Sequence, residues 1–576
     1  MASISGLYVG VTGLNVSQAA LNITSHNLAN VETEGYVRQQ AVLTDFNYKK
    51  LGDSYLSAMQ QGLGANFATV KQVRDTFLDK AYRQEVGREA FYESQDDAVG
   101  EVEGFFGELE GESFQNTMND LWTSLQELAK QPDSVVTRAT LIQTAVSFVE
   151  RTDNISDQLK DYQVNLNTQI QEQVDRINEI GKNLKSLNIK IRQYESTGLE
   201  KANDLRDQRN SLLDELGKLA NITYRENPNG MVTVNLEGAT FVTEDTVSEI
   251  KTVKMNETSD MIKPVWVAHG GADVFNLDKA ASADNDTDIG SLKGLLTARG
   301  SKQASYTDIP IRSNYASETL YNADVRNYNN TINASVIMKV QAEFDQLVHG
   351  IVTTINDVLS PNKEVTQIDG STIKILDTDK APVGIDADST MGEGLFNRKS
   401  MSRYSDEQEI QILDESGATV TITARVYNEE DPTNNYSLFT HGEIEVNPNI
   451  MQNYSYIPLS SNTGSGDFDV TTVNALLTKW QDTFSTLNPN TLTQNNFDDY
   501  YSSFISDLAN RGEQLGTIST NQASMVESIN NQRTEVTGVS SDEELTNMIK
   551  YQHAYNASAR YVNVVSQMLE DIIEKL

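Results

Sequence analysis

Proline is absent from both ends of this chain, and no other feature restricts its fold as much. All 10 prolines lie between Pro132 and Pro489, eight of them between Pro228 and Pro458. Proline removes a backbone donor and clashes with the preceding helical turn. Both ends are therefore free to form long helices, while the middle reads as turns and strands. The ends also carry apolar repeats of one period. Leu7, Leu14, Leu21 and Leu28 recur every seven residues, with Ile4, Val11, Gln18 and Ser25 at the alternate seam positions. Near the other end Met548, Tyr555, Val562, Leu569 and Leu576 recur at the same period. Leu545, Gln552, Ala559, Ser566 and Ile573 fill that second seam. This is coiled-coil patterning. Ser541 with Glu544 reads as a capping box at a helix start. Gly6, Gly10 and Gly13 weaken the first helix in isolation, so it forms mainly when packed against a partner. Two partly polar seams at opposite ends point to the ends pairing with each other. On heptads alone, each helix packing on its nearest globular neighbour fits equally well.

Between the ends lies a helical block. From Pro132 to Tyr194 no further proline occurs, and Leu159, Leu166, Gln173, Ile180, Leu187 and Tyr194 form one seam. Ile170, Ile177, Leu184 and Ile191 form the other. Ser196-Thr197-Gly198 stops this helix, and an amphipathic segment from Ala202 to Leu219 folds back on it as a helical hairpin. Ile337, Val340, Phe344, Leu347, Ile351 and Val358 mark another helix, and Leu476 to Gln532 a broken, Asn/Ser-rich helical return. Two regions read as strands. Ile222–Tyr224 and the alternating Val232, Val234 and Leu236 flank Asn227-Pro228-Asn229-Gly230, a hairpin signal. Ile410–Ile412 and Val420, Ile422 and Ala424 flank a turn at Asp414–Gly417. Strands are expected through Ile222–Ala298 and Lys363–Val470.

The expected fold class is multidomain and mainly α with inserted β domains. The N- and C-terminal helices pair as a coiled coil, the body is a long helical bundle, and the β-rich domains lie outside. The expected divisions are 1–65 with 535–576 for the terminal domain, and 66–221, 311–360 and 473–534 for the body. The first β-rich domain is 222–300 and the second 363–470.

Charge excludes several functions. The chain of 576 residues has a formal net charge of −37, the opposite of what phosphate or anionic-lipid binding needs. Cys is 0, so no disulfide, thiolate metal site or cysteine nucleophile exists. With 38% hydrophobic residues the chain is not disordered by composition. The charge is unevenly placed. No Asp, Glu, Lys or Arg occurs from Met1 to Val31, and the acids and bases balance from Leu545 onward. That uncharged start lacks the cationic and continuous apolar stretches of a secretory signal. No stretch approaches a membrane span.

Local catalytic signatures are missing. His26, His269, His349, His441 and His553 are far apart in sequence, and there is no phosphate-binding loop. Gly392-Glu393-Gly394 and Gly464-Ser465-Gly466 read as turns. Asp284-Asn285-Asp286-Thr287-Asp288-Ile289-Gly290 has calcium-loop spacing, but Gly290 comes one place late and Leu295 stands where a bidentate Glu belongs. It reads as a solvated acidic loop, and no metal or other cofactor is expected. Three classes remain open: a structural subunit of an assembly, an adhesive module acting through its β regions, and an enzyme with its site there.

Ala29-Asn30-Val31-Glu32-Thr33-Glu34-Gly35-Tyr36, preceded by Asn27-Leu28 and followed by Arg38-Gln39, resembles the signature of bacterial flagellar rod, hook and hook-associated proteins. The shared positions are Ala29, Asn30, Thr33, Gly35 and Tyr36. Ala202 through Arg209, with Leu212 through Leu216, is similar to a helical motif of the hook–filament junction members. Gly290 to Arg299 is similar to their segment closing the first β region, and Glu543 through Arg560 to their C-terminal helix. Glu32, Glu34 and Val37 depart from the usual Asn, Pro and Ser. Gly35 itself suits a turn of positive φ after the first helix, and Tyr36 a lid over that turn; apart from the rest of the pattern, an ordinary loop glycine and a half-buried tyrosine fit these two residues better.

The resemblance implies a non-enzymatic structural subunit between hook and filament, exported unfolded through the hollow flagellum without a cleavable signal. It implies as partners the hook protein, hook-associated protein 3, copies of itself in a ring, and an export chaperone on the C-terminal helix. Other axial proteins of hook or rod type, or a secreted coiled-coil adhesin, are the alternatives. Leu7, Val11, Leu14, Leu21 and Leu28 are expected to pack with Met548, Tyr555, Val562, Leu569 and Ile573.

Overall fold

The computed structural model describes residues 3–33, 35–54, 57–107, 113–198, 201–256, 259–413, 417–460 and 470–574. Helix α1 (Ser3–Ala29) opens the chain and packs along the last helix, α12 (Ser541–Glu574), so both ends lie together. After α1 come four strands, β1 (Gln39–Asp45), β2 (Tyr48–Ser54), β3 (Ser57–Gly62) and β4 (Ala65–Gln72). β1 pairs antiparallel with β4 and β2 with β3, making an extended β arm. The coiled coil is therefore confined to the helices themselves. The ladder between β1 and β4 runs on past the boundary expected at residue 65.

The body begins with α2 (Thr76–Phe106), capped by the Asp75 carboxylate, and α3 (Phe114–Lys130), capped by Ser113. α4 (Val135–Glu195) has 61 residues, about 90 Å at 1.5 Å per residue. Its heptad residues Leu159, Leu166, Ile170, Ile177, Ile180, Leu184, Leu187 and Ile191 are all buried. Their partners are not one helix but a succession: α3, then α5 (Asn203–Leu219), and the first β region. Tyr194, expected in the seam, is 63% exposed because the core ends a turn earlier.

The first β region comprises a three-stranded antiparallel sheet, β5 (Ile222–Glu226), β6 (Val232–Leu236) and β7 (Ala239–Val242), and a hairpin of β8 (Ile250–Lys254) and β9 (Ile262–Trp266). The expectation of strands through Ala298 fails at its end. Ser291–Arg299 is helix α6, packed on α2 and α4. Gly294 carries the reason: a Cβ there would lie 2.8 Å from the Phe91 carbonyl, so only glycine lets α6 approach α2 so closely. α7 (Glu318–Asn330) is largely exposed and leads into α8 (Val336–Leu359), whose sides are nearly all buried. The second β region holds a four-stranded sheet of β10 (Asn362–Gln367), β11 (Thr372–Leu376), β13 (Gln408–Leu413) and β14 (Thr419–Ala424). Ile410 pairs with Ile422 in the anticipated hairpin; residues 414–416 of its turn lie outside the described residues. β12 (Phe396–Arg398) pairs with β15 (Ile444–Val446), followed by the short α9 (Pro448–Gln452). Gly392 has φ +81, but Gly392–Gly394 is irregular chain rather than the expected turn; the Gly464–Gly466 pair lies outside the described residues.

The return to the ends runs through α10 (Val470–Gln481), a short hairpin of β16 (Ser485–Thr486) and β17 (Gln494–Asn495), and α11 (Phe497–Thr537). One continuous apolar core joins the body helices to both β regions. At its centre Phe344 of α8 packs edge-on against Phe106 and Phe114, with ring centroids 5.3 and 5.0 Å apart. Trp122 stacks on the buried Trp480 at 5.5 Å. Arg138 is wholly buried and pins the start of α4, donating to the Pro132 carbonyl and to that of Tyr454 beyond β15. Among the described residues no helix is long and apolar enough to cross a membrane.

Candidate functional site: the terminal seam and its junction with the body

The face of α1 turned to α12 is not its leucine stripe. The buried residues are Gly6, Gly10, Val16, Ser17, Ala20, Thr24 and Asn27, with Gly13 half-buried. Gly6, Gly13, Ala20 and Asn27 repeat every seven residues, and Gly10, Ser17 and Thr24 fill the alternate seam positions. The seam thus has the heptad period but is made of small residues. A Cβ on Gly10 would lie 2.6 Å from the Val562 methyl Cγ2 and 3.1 Å from the Tyr561 ring. A Cβ on Gly13 would lie 2.7 Å from the Ser558 hydroxyl. The glycines that weaken the isolated helix are what admit α12 to close range, and the small side chains leave no room for any other spacing.

Leu7, Leu14, Leu21 and Leu28 flank this seam and are half-buried. Val11 is 41% exposed and lies outside it, a correction to the expected set. On α12 the seam runs through Glu544, Tyr551, Ser558 and Val565, alternating with Met548, Tyr555, Val562 and Leu569. Only Glu544 and Val565 are buried; the rest are half-buried. Ile573, at 72% exposed, and Leu545, at 45%, face away. The second expected seam of α12 was one phase off. A period of seven is shared by every face of a helix, so repeats alone do not choose which face pairs. The Ile4 side chain and Leu576 lie outside the described residues.

At the base of this pair the family-motif residues make a closed polar network. Asn27 is 1% exposed, and its side-chain amide is fully used. Its Nδ2 donates to the Gln39 carbonyl at 2.9 Å and to Glu544 Oε2 at 3.2 Å. Its Oδ1 accepts from the Gln39 N–H at 3.0 Å and from the Tyr36 hydroxyl at 2.8 Å. Asn27 therefore pairs with Gln39 as a strand residue would, anchoring the start of β1 to the end of α1. Tyr36 is kept protonated, its pKa raised by burial and then by Asp204, Asp207 and Glu544. With that proton on Asn27, His26 must donate Nδ1–H to the Tyr36 oxygen, 3.0 Å away. Glu544 is 2% exposed and also takes the Arg38 Nε at 2.9 Å, while Arg38 reaches Glu543 at 2.7 Å. Glu544 is thus committed to α1 rather than to a capping box. The cap falls one residue earlier, where the Ser540 hydroxyl accepts from the Glu543 N–H.

The other motif residues shape the turn. Asn30 donates to the His26 carbonyl, and Thr33 donates to Asn30 Oδ1. Gly35 has φ +75, the left-handed conformation expected of it, and is exposed, as is Ala29. Glu34 lies outside the described residues.

A second polar layer ties this junction to the body. Asp207 of α5 accepts from Gln72 of β4 at 2.8 Å and from the Val37 N–H at 3.4 Å. Burial pushes its carboxyl up to about 6, against the opposing pull of Arg74. Arg533 near the end of α11 bridges Asp79 of α2 at 2.7 Å and Asp214 of α5 at 2.6 Å. Asp79 is held below the usual carboxylate range: burial pushes it up, and Arg74, Arg533 and Arg83 more than offset that. Buried charges thus line the junction between the body and the terminal pair.

Spacing alone marks Asn27, Arg38 and Gln39 only as the setting of the motif, and it assigns Glu544 to a capping box where the structure pairs it with Asn27 and Arg38. Their signal was present: a charged residue and an amide at heptad seam positions are costly unless they are paired. The partners are separated by 517 positions in the chain, a distance over which spacing rules say nothing. The acidic loop is also resolved. Arg88 binds Asp286 at 2.7 Å and Asp288 at 3.2 Å, and Tyr92 donates to Asp288. These carboxylates serve an arginine, and among the described residues no group of three or more acids or histidines gathers to hold a metal ion.

The Flagellar hook-associated protein FlgK helical domain profile matches residues 99–372. A flagella basal body rod protein profile matches residues 7–36, and the flagellar basal body rod FlgEFG protein C-terminal profile matches 525–575. Flagellar hook-associated protein 1 of Bacillus subtilis is 25% identical over 99% of this chain and 98% of its own length. The chain is thus similar to flagellar hook-associated protein 1 along nearly its whole length, and its helical body matches the hook-associated protein FlgK helical domain. The Salmonella typhimurium protein of the same name is 24% identical, over 98% of each chain. The flagellar hook junction protein FlgK from Burkholderia pseudomallei has a similar fold, with a TM-score of 0.53 at 12% identity, covering 80% of this chain and all of that one. The two rod-protein profiles fall on α1 and α12, the elements that form the seam. The hook-associated protein 1 family is structural, so its members are not enzymes.

Proposed function

We propose that this chain forms the junction between hook and filament of the bacterial flagellum, assembling through its paired terminal helices. Like the hook-associated protein 1 relatives it resembles, it is a structural component of the extracellular flagellum. The observation that carries the assembly reading is what α1 and α12 leave uncovered. In one copy Val564, Met568 and Ile572 on α12 are 47, 57 and 51% exposed, each four residues from the next. Tyr8 on α1 is 57% exposed. A helix pair with an apolar stripe on its outside is half of a larger packing, and neighbouring copies in a ring supply the rest.

The same features support a disorder-to-order step. A glycine-rich α1 does not hold its helix alone, and α12 buries only two residues against it. The chain can thus travel unfolded at its ends and order them on arrival, which fits export through a narrow channel without a cleavable signal. Terminal helices of this kind fit the hook protein below, hook-associated protein 3 above, and an export chaperone that shields α12 beforehand. The body and the two β regions, joined by one apolar core, then lie outside the terminal pair. Leu7, Leu14, Leu21, Leu28, Met548, Tyr555, Val562 and Leu569 line the packing, and the small-residue seam sets its spacing.

Deletion of the gene in its host tests the role. The expected result is complete hooks without filaments and flagellin lost to the medium. Filaments growing normally on such hooks would overturn the reading.

A further inference from the structure

The first β region contains a polar cavity that the assembly reading does not use. It encloses about 740 Å³ between β9, the segment that follows it, and the start of α6. Lys293 of α6 is 5% exposed and reaches into it. Its ammonium has no hydrogen bond or ion pair among the described residues. The side chain is buried while its ammonium opens onto the cavity, where water or a ligand completes it. Glu237 looks into the same space. It stands at φ +49 in the two-residue turn between β6 and β7, a conformation few side-chain-bearing residues adopt. The turn aims its carboxyl inward, where Oε1 accepts the Asn221 N–H at 3.1 Å and the other oxygen stays open.

The two groups sense each other across the cavity without reaching ion-pair distance. Burial pushes Glu237 up to about 7, with Lys293 opposing. Burial lowers Lys293, with Glu237 and Asp288 opposing. Near the opening, Lys263 is already paired with Asp273 at 2.7 Å. Met255, Pro264, Phe275 and Leu277 supply an apolar wall. A simple anion would satisfy Lys293 but face Glu237, and a simple cation would do the reverse. A molecule carrying both charges completes both groups at once.

We propose that this cavity binds a small zwitterion of the α-amino-acid class, with its carboxylate on Lys293, its ammonium on Glu237 and an apolar side chain against the Met255–Leu277 wall. The volume leaves ample room for a ligand of that size and its water. Calorimetric titration of the full chain with L-leucine, L-methionine and L-phenylalanine tests it, beside 4-methylpentanoate and 3-methylbutylamine, which each keep one end of leucine. The expected result is saturable binding of at least one amino acid, with both one-ended analogues weaker by about tenfold or more. Lys293→Met and Glu237→Gln should each weaken that amino acid by about tenfold while keeping the wild-type circular dichroism spectrum. The proposal is overturned if none of the three amino acids binds, or if the carboxylate alone binds as well as leucine. It is equally overturned if both variants, folded, bind unchanged. Should a variant not fold, the comparison of ligands on the wild-type chain decides.

Discussion

The body and the terminal pair are both helical, yet they are held together by opposite means. Helix α8 buries nearly all its faces, including charged Glu343 and Asp345, inside a core of interlocked aromatics. Helix α12 is longer and buries two residues. The body packs large side chains into one another and needs no other chain. The terminal pair packs small residues against half-buried ones and leaves apolar surface outside. Large interlocking side chains supply stability within one copy; a small-residue seam supplies closeness and leaves stability to be gained from neighbours. The same secondary structure can thus encode a finished domain or an unfinished one, and side-chain size at the heptad positions separates the two.

The contrast breaks most sharply at Gly10. Gly10→Leu should abolish incorporation into flagella, since its side chain meets Val562 and Tyr561 at once. Thermal unfolding of the body, followed by tryptophan fluorescence, should not move. A body that unfolds earlier would erase the distinction. The reverse experiment is Phe344→Ala, expected to cost about 3–5 kcal/mol in denaturant unfolding of the isolated chain. A cost under about 1 kcal/mol would mean that the body core is looser than its ring contacts imply.

Smaller effects probe the junction between the two regions. Asn27→Ala strips partners from Glu544, Tyr36 and Gln39 and should destabilise the terminal pair by about 1–3 kcal/mol. Faster hydrogen exchange in α1 and α12, with α8 unchanged, would report it; equal acceleration everywhere would place Asn27 in the body's cooperative unit. The mildest effect is on pH. The Asp207 carboxyl is raised in the folded chain, so its burial penalty is present above pH 6. The penalty is relieved as pH falls through about 6 toward the unfolded value near 4. Wild type should therefore gain junction stability between pH 7 and pH 5, and Asp207→Asn should lose that dependence. An unaltered pH profile in Asp207→Asn would remove Asp207 as its source.

Much of this was legible beforehand because it rests on local rules. Proline placement set where long helices could run at the ends, and α1, α2, α11 and α12 occupy those stretches; apolar periodicity marked α4 and α8 between prolines. The turn at Asn227–Gly230 and the alternation around Ile410 and Ile422 marked hairpins that formed in register. Gly35 announced its left-handed turn. Other features misled. Ser291–Arg299 looked like the end of a strand region because a short apolar run carries no decisive period. The β arm at 39–72 has too weak an alternation to stand out from the helices around it.

By itself the sequence determined the period of the ends, their lack of net charge, and their need for partners, because those follow from residue type and spacing alone. Tertiary structure decided the phase. Leucines and glycines repeat every seven residues on the same helix, one position apart, and only the approach of Val562, Tyr561 and Ser558 selects the glycine face. It also decided that Glu544 answers Asn27 and Arg38, and that Lys293 and Glu237 share a cavity. Each of these joins residues far apart in the chain, and such contacts arise only when separate elements are brought against one another.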